Sequence, residues 1–271
     1  MSLRIQTNIE AFNAHRNLVG TEDKIATAME RLSSGFRINR AADDAAGLAI
    51  SEKLMSQIGG LEQAQRNGQD AVSLVQTGEG ALAEVQSMLQ RVRDLAVQFN
   101  NGTLSTSDQA AITAEVAQLC SEVSAIGSQT SFNGIQLLTG SATITFQVGS
   151  NDGQTVTATA VSLFGSGASY QVDSSLFTFS GTVNLASIDA AIQNVSNSRS
   201  TFGSIQNRLD HRLNNLATYE GNLQASESRI KDVDMASQMV EFTKLQILQQ
   251  AGTAMLAQAN SAPQSVLTLL R

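Results

Sequence analysis

The chain has 271 residues, a formal net charge of -7, 42% hydrophobic but only 4% aromatic residues, no Trp and a single proline, Pro263. The acidic balance excludes a protein that grips nucleic acid through its phosphates, since that affinity rests on neutralising them with Lys and Arg. With few large rings to fill a spherical core, the abundance of Ala, Leu, Val, Ile, Gln and Ser predicts a mainly α, elongated antiparallel helical bundle or coiled coil.

At the N-terminus Ile5, Ile9 and Phe12 begin an apolar stripe that slips phase and resumes at Ile25, Met29 and Leu32. The first ten residues hold no basic segment followed by an apolar one, so no cleaved signal peptide is expected, and no apolar run reaches membrane-spanning length. Gly35 is a helix stop, and Asp43 or Asp44 caps the next start, where a carboxylate also complements the helix dipole. The helix that follows is predicted to run to Phe99. Within it Leu74, Gly78, Ala81, Val85, Met88, Val92, Leu95 and Phe99 step by alternating fours and threes without a charged or amide side chain, which is a heptad seam. A weaker stripe of Val72, Val75, Leu82, Leu89 and Ala96 beside it predicts more than one packing partner.

Asn100-Asn-Gly102 ends this helix, and Thr106-Ser-Asp-Gln109 reads as a capping box for the next, whose Ile112, Val116, Leu119, Val123 and Ile126 keep the same steps. The lone cysteine, Cys120, cannot form an internal disulfide and reads as a small buried thiol beside Leu119 and Val123. From about 131 to 181 the chain turns to Thr, Val, Ser, Phe and Gly. Near-alternation from Ala142 to Val148, a turn signal at Gly149-Ser-Asn-Asp-Gly153 and a run from Thr155 to Thr159 predict a small central β-hairpin lobe resting on the helices. Gly165-Ser-Gly167 reads as a turn, since it lacks the strand-to-helix context of a phosphate loop. A further helix carries Ile188, Ile192, Val195, Phe202, Leu209, Leu213, Leu216 and Leu223, with Arg199, Gln206 and Glu220 interrupting its stripe. Antiparallel packing of these helices is their simplest common core. The terminal helices are expected to bury their apolar faces against each other and against neighbouring copies.

Nothing in the chain suggests an enzyme, a cofactor or a bound metal. His15 and His211 are far apart, without Cys or carboxylate at ligand spacing, no His-Glu-x-x-His occurs, and Asp43 with Asp44 reads as helix capping rather than as an acid-base pair.

The ends carry the most specific motifs. They are Glu30-Arg-Leu-Ser-Ser-Gly-Phe-Arg-Ile-Asn39 with Ala41-Ala-Asp-Asp-Ala-Ala-Gly47, and Gln246-Ile-Leu-Gln-Gln-Ala-Gly-Thr-Ala-Met-Leu-Ala-Gln-Ala-Asn260 leading to Pro263-Gln-Ser-Val-Leu-Thr-Leu-Leu-Arg271. With Gln90-Arg-Val-Arg-Asp-Leu-Ala-Val-Gln98, Gln129-Thr-Ser-Phe-Asn-Gly134 and Ser228-Arg-Ile-Lys-Asp232, they make the chain resemble the bacterial flagellins.

The resemblance implies a flagellin-like fold. An inner coiled coil of the two termini, D0, would comprise residues 1–42 and 231–271, and a D1 helical rod, 43–230, would carry the hairpin lobe, with no room for outer domains. It further implies a self-assembling subunit of the extracellular flagellar filament used for swimming, exported through the flagellar type III channel. Its D0 helices would lack a partner inside the monomer and become ordered on polymerisation. Self-assembly is expected to rest on Ile5, Ile9, Phe12, Val266, Leu267, Leu269 and Leu270, each burying about 1.5 to 3 kcal/mol worth of apolar surface. By the same resemblance the partners are other copies of the chain, an export chaperone, and the hook-associated junction and cap proteins. Arg91, Leu95 and Glu115 match contact positions for Toll-like receptor 5, and the terminal Val266-Leu-Thr-Leu-Leu-Arg271 looks like the tail sensed by NAIP receptors. A hook-filament junction protein and, more remotely, a signalling coiled coil are the competing readings.

Overall fold

The computed structural model describes residues 8–140, 143–165, 171–173, 177–179 and 183–269, with side chains for all of these except 164–165, 173 and 262–269. Five helices dominate: α1 (Ile9–Ser34), α2 (Ala45–Phe99), α3 (Thr106–Gln129), α4 (Leu185–Lys231) and α5 (Met235–Leu269). Between α3 and α4 lie short strands β1 (Ser131–Phe132), β2 (Ile135–Gln136), β3 (Thr143–Gln147), β4 (Thr155–Thr159), β5 (Phe164–Gly165) and β6 (Val172–Asp173). The chain divides into two compact units, residues 57–221 and residues 1–56 with 222–271.

In the unit of residues 57–221, α2 buries Leu61, Ala64, Gly68, Ala71, Val75, Gly78, Leu82, Val85, Leu89, Val92, Ala96 and Phe99. These positions alternate threes and fours without a break over eleven steps, so they form the central stripe of a heptad helix. Leu74 and Leu95 are buried beside it, whereas Ala81 and Met88 are only half-buried. The two stripes expected from the sequence are therefore neighbouring parts of one wide buried face, with its centre shifted toward the set taken as weaker.

A similar shift of phase corrects α4. Its buried residues are Ile188, Ala191, Val195, Ser198, Phe202, Ile205, Leu209 and Leu216, so the alternate positions are 191, 198 and 205 rather than 192, 199 and 206. Arg199 and Gln206 flank the seam and do not interrupt it. Arg199 donates to Glu79 Oε1 from Nε (2.9 Å) and Nη2 (2.5 Å), and to Gln86 Oε1 from Nη1 (2.6 Å). Arg93 pairs with Asp189 at 2.6 Å, and Gln65 donates to Glu220. The pairings show α2 and α4 running antiparallel. Glycine sets how closely they approach: a Cβ on Gly78 would lie 2.9 Å from Phe202 Cε2, and one on Gly68 2.7 Å from Leu213 Cδ2.

Helix α3 contributes Ile112, Val116, Val123 and Gly127 to the same core, with Leu119, Cys120 and Ile126 half-buried against it. Its N-cap is Ser105 rather than Thr106. The Ser105 side chain accepts from Asp108 N, and Asp108 Oδ2 accepts from Ser105 N at 3.1 Å, a complete capping box one residue earlier than predicted. Asn100 fixes the other side of this turn by exchanging two 2.9 Å hydrogen bonds with the backbone of Val183.

The predicted hairpin is β3 against β4, in the register Thr143↔Thr159 to Gln147↔Thr155. Val156 and Ala158 point inward while Thr155, Thr157 and Thr159 stay exposed, the alternation that half-burial demands. A second hairpin, β1 with β2, turns through Asn133 (φ 49) and Gly134 (φ 78), the two positive dihedrals of a tight primed turn. Strands β5 and β6 pair in parallel. Gly165 thus belongs to a strand, while the rest of the Gly165-Ser-Gly167 turn predicted above, like Ala142, lies outside the described residues. Leu137, Leu138, Val148 and Leu163 bury the underside of this lobe, and Asn67 Nδ2 on α2 donates to Gln147 O at 3.1 Å, so the lobe does rest on the helices.

Candidate assembly and recognition surfaces

The unit of residues 1–56 with 222–271 is built on α1 and α5, which pair along their lengths within the chain. On α1 a covered stripe runs through Ala11, Ala14, Leu18, Thr21, Ile25, Ala28 and Leu32, again alternating threes and fours, with Gly20, Glu30 and Arg31 half-buried beside it. On α5 it runs through Gln238, Phe242, Leu245, Gln249, Gly252, Leu256 and Ala259, with the same alternation. Two heptad faces therefore meet, with the small Ala11, Ala14, Thr21, Ala28, Gly252 and Ala259 interspersed among Leu18, Ile25, Leu32, Phe242, Leu245 and Leu256. Asn8 caps α1 by accepting from Ala11 N, and its Nδ2 crosses to Ala259 O at 2.7 Å, while a Cβ on Gly252 would come 3.3 Å from Leu18. The antiparallel sense follows from those two contacts.

This pairing agrees with the expectation that the terminal helices bury faces against each other, and corrects the expectation that they lack a partner inside the monomer. Ile25 and Leu32 of the predicted stripe lie on the seam, but much of the rest is written in Ala, Thr, Gly and Gln. A search for bulky side chains passes over those residues, although close-packed helices favour small ones at the contact. The matching steps of Ala11, Ala14, Leu18 against Gly252, Leu256, Ala259 were the available signal.

Other large apolar side chains face outward. Ile9 is 53% exposed, Phe12 74%, Val240 70% and Ile247 60%, and Met29, Met239 and Met255 are also exposed. Among the described residues, only Ala28 of α1 and Leu245 of α5 are fully buried in the pair. Beside the seam, Leu18, Leu248, Gly252 and Met255 line an open groove of about 760 Å³, and a second groove of about 410 Å³ runs along Met239, Val240, Thr243 and Ile247. Such a concentration of exposed apolar surface marks an interaction face. Of the other residues predicted for self-assembly, Ile5 and Leu270 lie outside the described residues. Val266, Leu267 and Leu269 belong to α5, but their side chains lie outside the description.

The joints of this unit are tied together. Gly35 (φ 76) ends α1, as expected, by donating to Arg31 O. The next residues then zip against the α4–α5 link: Arg37 N donates to Lys231 O (2.7 Å), Val233 N to Gly35 O (3.0 Å), and Phe36 bridges Asp232. Lys231 Nζ lies 4.8 Å above the Phe36 ring and 3.3 Å from Met55 Sδ. Asp44 caps α2 by accepting from Gly47 N at 2.8 Å. Asp43 has a separate task, accepting from the Asn39 and Arg40 amides, and these bonds hold its carboxyl below the ordinary aspartate value. Both acids are therefore structural.

The predicted recognition residues divide. Arg91 of α2 and Glu115 of α3 meet in a half-exposed ion pair, Nη2 to Oε1 2.7 Å. Leu95 is 2% exposed and belongs to the core, so it presents no surface of its own to a receptor. Cys120 is half-buried, and burial pushes its thiol up. His15 and His211 are both exposed, and among the described residues no group of three or more His, Cys, Asp and Glu is placed to hold a metal ion. Nor is any described helix long and apolar enough to cross a membrane.

Residues 5–143 match the model of the bacterial flagellin N-terminal helical region and residues 185–270 that of the C-terminal helical region. The chain is 50% identical over 270 residues to a flagellin of Halalkalibacterium halodurans, covering 98% of this chain and 99% of that one. It is 43% identical over 307 residues to a flagellin of Bacillus subtilis, covering 99% and 100%. It is also 43% identical over 289 residues to the flagellar filament 33 kDa core protein of Treponema phagedenis, covering 98% and 99%. The crystal structure of Bacillus cereus flagellin is similar over 56% of this chain and 88% of that one, with 37% identity and a TM-score of 0.46.

Proposed function

The chain belongs to the bacterial flagellin family and is a flagellar filament subunit, and we propose that it enters the filament through the outward apolar face of its α1 and α5 pair. The observation that carries this reading is the row of large apolar side chains left exposed in that unit. The contact between the two helices covers Leu18, Ile25, Leu32, Phe242, Leu245 and Leu256 together with small residues, yet Phe12, Val240 and Ile247, 60 to 74% exposed, are left for a surface outside the chain. Large apolar side chains gain about 1.5 to 3 kcal/mol each on burial, so covering several of them by a neighbouring copy supplies a strong driving force for association. The role is structural.

Several finer assignments belong to the same proposal. Residues 1–42 and 231–271 act as the inner polymerising domain and 43–230 as the rod that surrounds it, with Ile5, Ile9, Phe12, Val266, Leu267, Leu269 and Leu270 as the apolar contacts. The filament is extracellular and its subunits leave the cell through the flagellar export channel, escorted by a chaperone and meeting junction and cap proteins at the filament ends. Released monomer offers Arg91 and Glu115 to Toll-like receptor 5, with Leu95 holding the helix beneath them, and offers its leucine-rich tail to NAIP receptors. The half-exposed Arg91 and Glu115 pair and the buried Leu95 support that division of labour.

The test changes exposed positions only. Ile9→Ser with Phe12→Ser should leave helicity and monomer melting unchanged and abolish sedimentable polymer on salting out. Long filaments of that double variant in electron micrographs would overturn the reading.

A further inference from the structure

The methionines are distributed unevenly. Met29, Met55, Met235, Met239 and Met255 are 45 to 64% exposed and all belong to the unit of α1 and α5, whereas Met88, in the other unit, is half-buried against the core. Two of them line grooves of this unit, Met239 beside Val240 and Ile247 on α5, and Met255 beside Leu18 and Leu248 in the groove between α1 and α5. A thioether is apolar and flexible enough to fit either groove against a partner. It is also the group in such a surface that a mild oxidant can reverse in character.

Resting on the assembly reading above, we propose that Met239 and Met255 are oxidation sites through which a peroxide-class oxidant switches polymerisation off. In the step, the sulfur lone pair attacks the distal oxygen of hydrogen peroxide. The O–O bond breaks as the S–O bond forms, sulfur is oxidised by two electrons, and the remaining oxygen leaves as water after proton transfer. The product sulfoxide is a strongly hydrated acceptor, and a partner that covers it must strip that water away, at Met239 beside Val240 and Ile247 and at Met255 in a groove that Leu18 and Leu248 share with Asn13, Asn17 and Gln258. Beside Met239, the Thr243 hydroxyl already donates to the Met239 carbonyl at 2.8 Å, and Lys244 keeps its contact with Glu241 at 3.3 Å only while it stays in water. Burying an acceptor without a donor opposes association. Met55 has a different surrounding. Lys231 Nζ stands 3.3 Å from its sulfur and can donate to the new oxygen, so oxidation there is tolerated. Because sulfoxides are reduced enzymatically, the switch is reversible.

The test uses the full chain carrying Cys120→Ala, so that no thiol contributes, and the same chain with Met239→Leu and Met255→Leu, a swap that keeps volume and apolarity. Both are treated as monomers with hydrogen peroxide, sulfoxides are located by peptide mass, and the critical concentration for polymer is measured by sedimentation. The parent should show a rise of about tenfold or more, reversed by methionine sulfoxide reductases, while the double-Leu chain moves less than about twofold. Unchanged polymerisation of parent monomers proven to carry both sulfoxides overturns the inference, as does resistance of both methionines to peroxide or an equal loss in the double-Leu chain. Failure of the untreated parent to polymerise at all would instead bring down the assembly reading, and this inference with it.

Discussion

Arg91 on α2 and Glu115 on α3 share a single carboxylate oxygen: Nε and Nη2 of the guanidinium stand 2.8 and 2.7 Å from Glu115 Oε1. Both side chains remain about half exposed, so solvent screens the pair and its contribution to folding is small. Arg91→Ala should therefore change stability by about 0.5 kcal/mol or less in urea titrations while lowering Toll-like receptor 5 signalling by soluble monomer. Leu95→Ala should cost about 2 to 5 kcal/mol, because it leaves a cavity in the core. Equal signalling by wild-type and Arg91→Ala monomers across a full dose series would remove the receptor assignment and leave the ion pair a structural one.

Gly78 and Phe202 set the spacing of α2 and α4. Gly78→Val would place a branched Cβ where Phe202 Cε2 already lies 2.9 Å away, with no flexible chain end to yield. The gain in helix propensity is smaller than the cost of overpacking, and a net loss of about 1 to 3 kcal/mol is expected. Gly80 meets nothing within 4 Å, so Gly80→Ala on the same helix should stabilise by up to about 1 kcal/mol. Thermal melting of the two variants in opposite directions is the check.

Leu245 and Val240 separate folding from assembly within α5. Leu245 is 4% exposed against α1, and Val240 is 70% exposed. Leu245→Ala should weaken the α1 and α5 pair by about 2 kcal/mol or more, seen as faster amide exchange in both helices. Val240→Ser should leave that exchange unchanged and raise the concentration needed for polymer. A fall in the protection of α1 on Val240→Ser would mean the outward face is not free in the monomer.

Asp108 gives a pH dependence of definite sign. Bonds from the Ser105 hydroxyl, then from its amide, hold the Asp108 carboxyl below the ordinary value of 3.8. A depressed carboxylate favours the folded form above the unfolded value, and that contribution disappears as the pH falls through the folded value. Protection of the first turn of α3 should therefore be full above about pH 5 and fade under strong acid, and Asp108→Asn should remove the dependence. Titration of the Asp108 carboxyl carbon by NMR at or above 3.8 would contradict this.

Much of the architecture was legible in the sequence because heptad spacing is a local property. The alternation from Leu74 to Phe99, the stop at Gly35, the start at Asp44 and the Thr155 to Thr159 alternation each depend on residues a few positions apart, and each corresponds to an observed element. Phase was less legible. A helix with 3.6 residues per turn drifts across a 3.5-residue repeat, so two adjacent stripes look equally good until a partner selects one. In α4 that partner is α2, whose Glu79 and Gln86 draw Arg199 to the flank of the seam.

The sequence by itself determined that this chain is a set of long helices with a small β lobe and apolar ends, since periodicity, caps and turn residues act over short range. Tertiary structure alone decided which apolar residues are inside. Ala14, Thr21, Gly252 and Ala259 face the partner helix, while Phe12, Val240 and Ile247 remain outside. The reason is geometric: a helix pair covers only one stripe of each helix, so apolar side chains on the remaining faces must find their cover elsewhere.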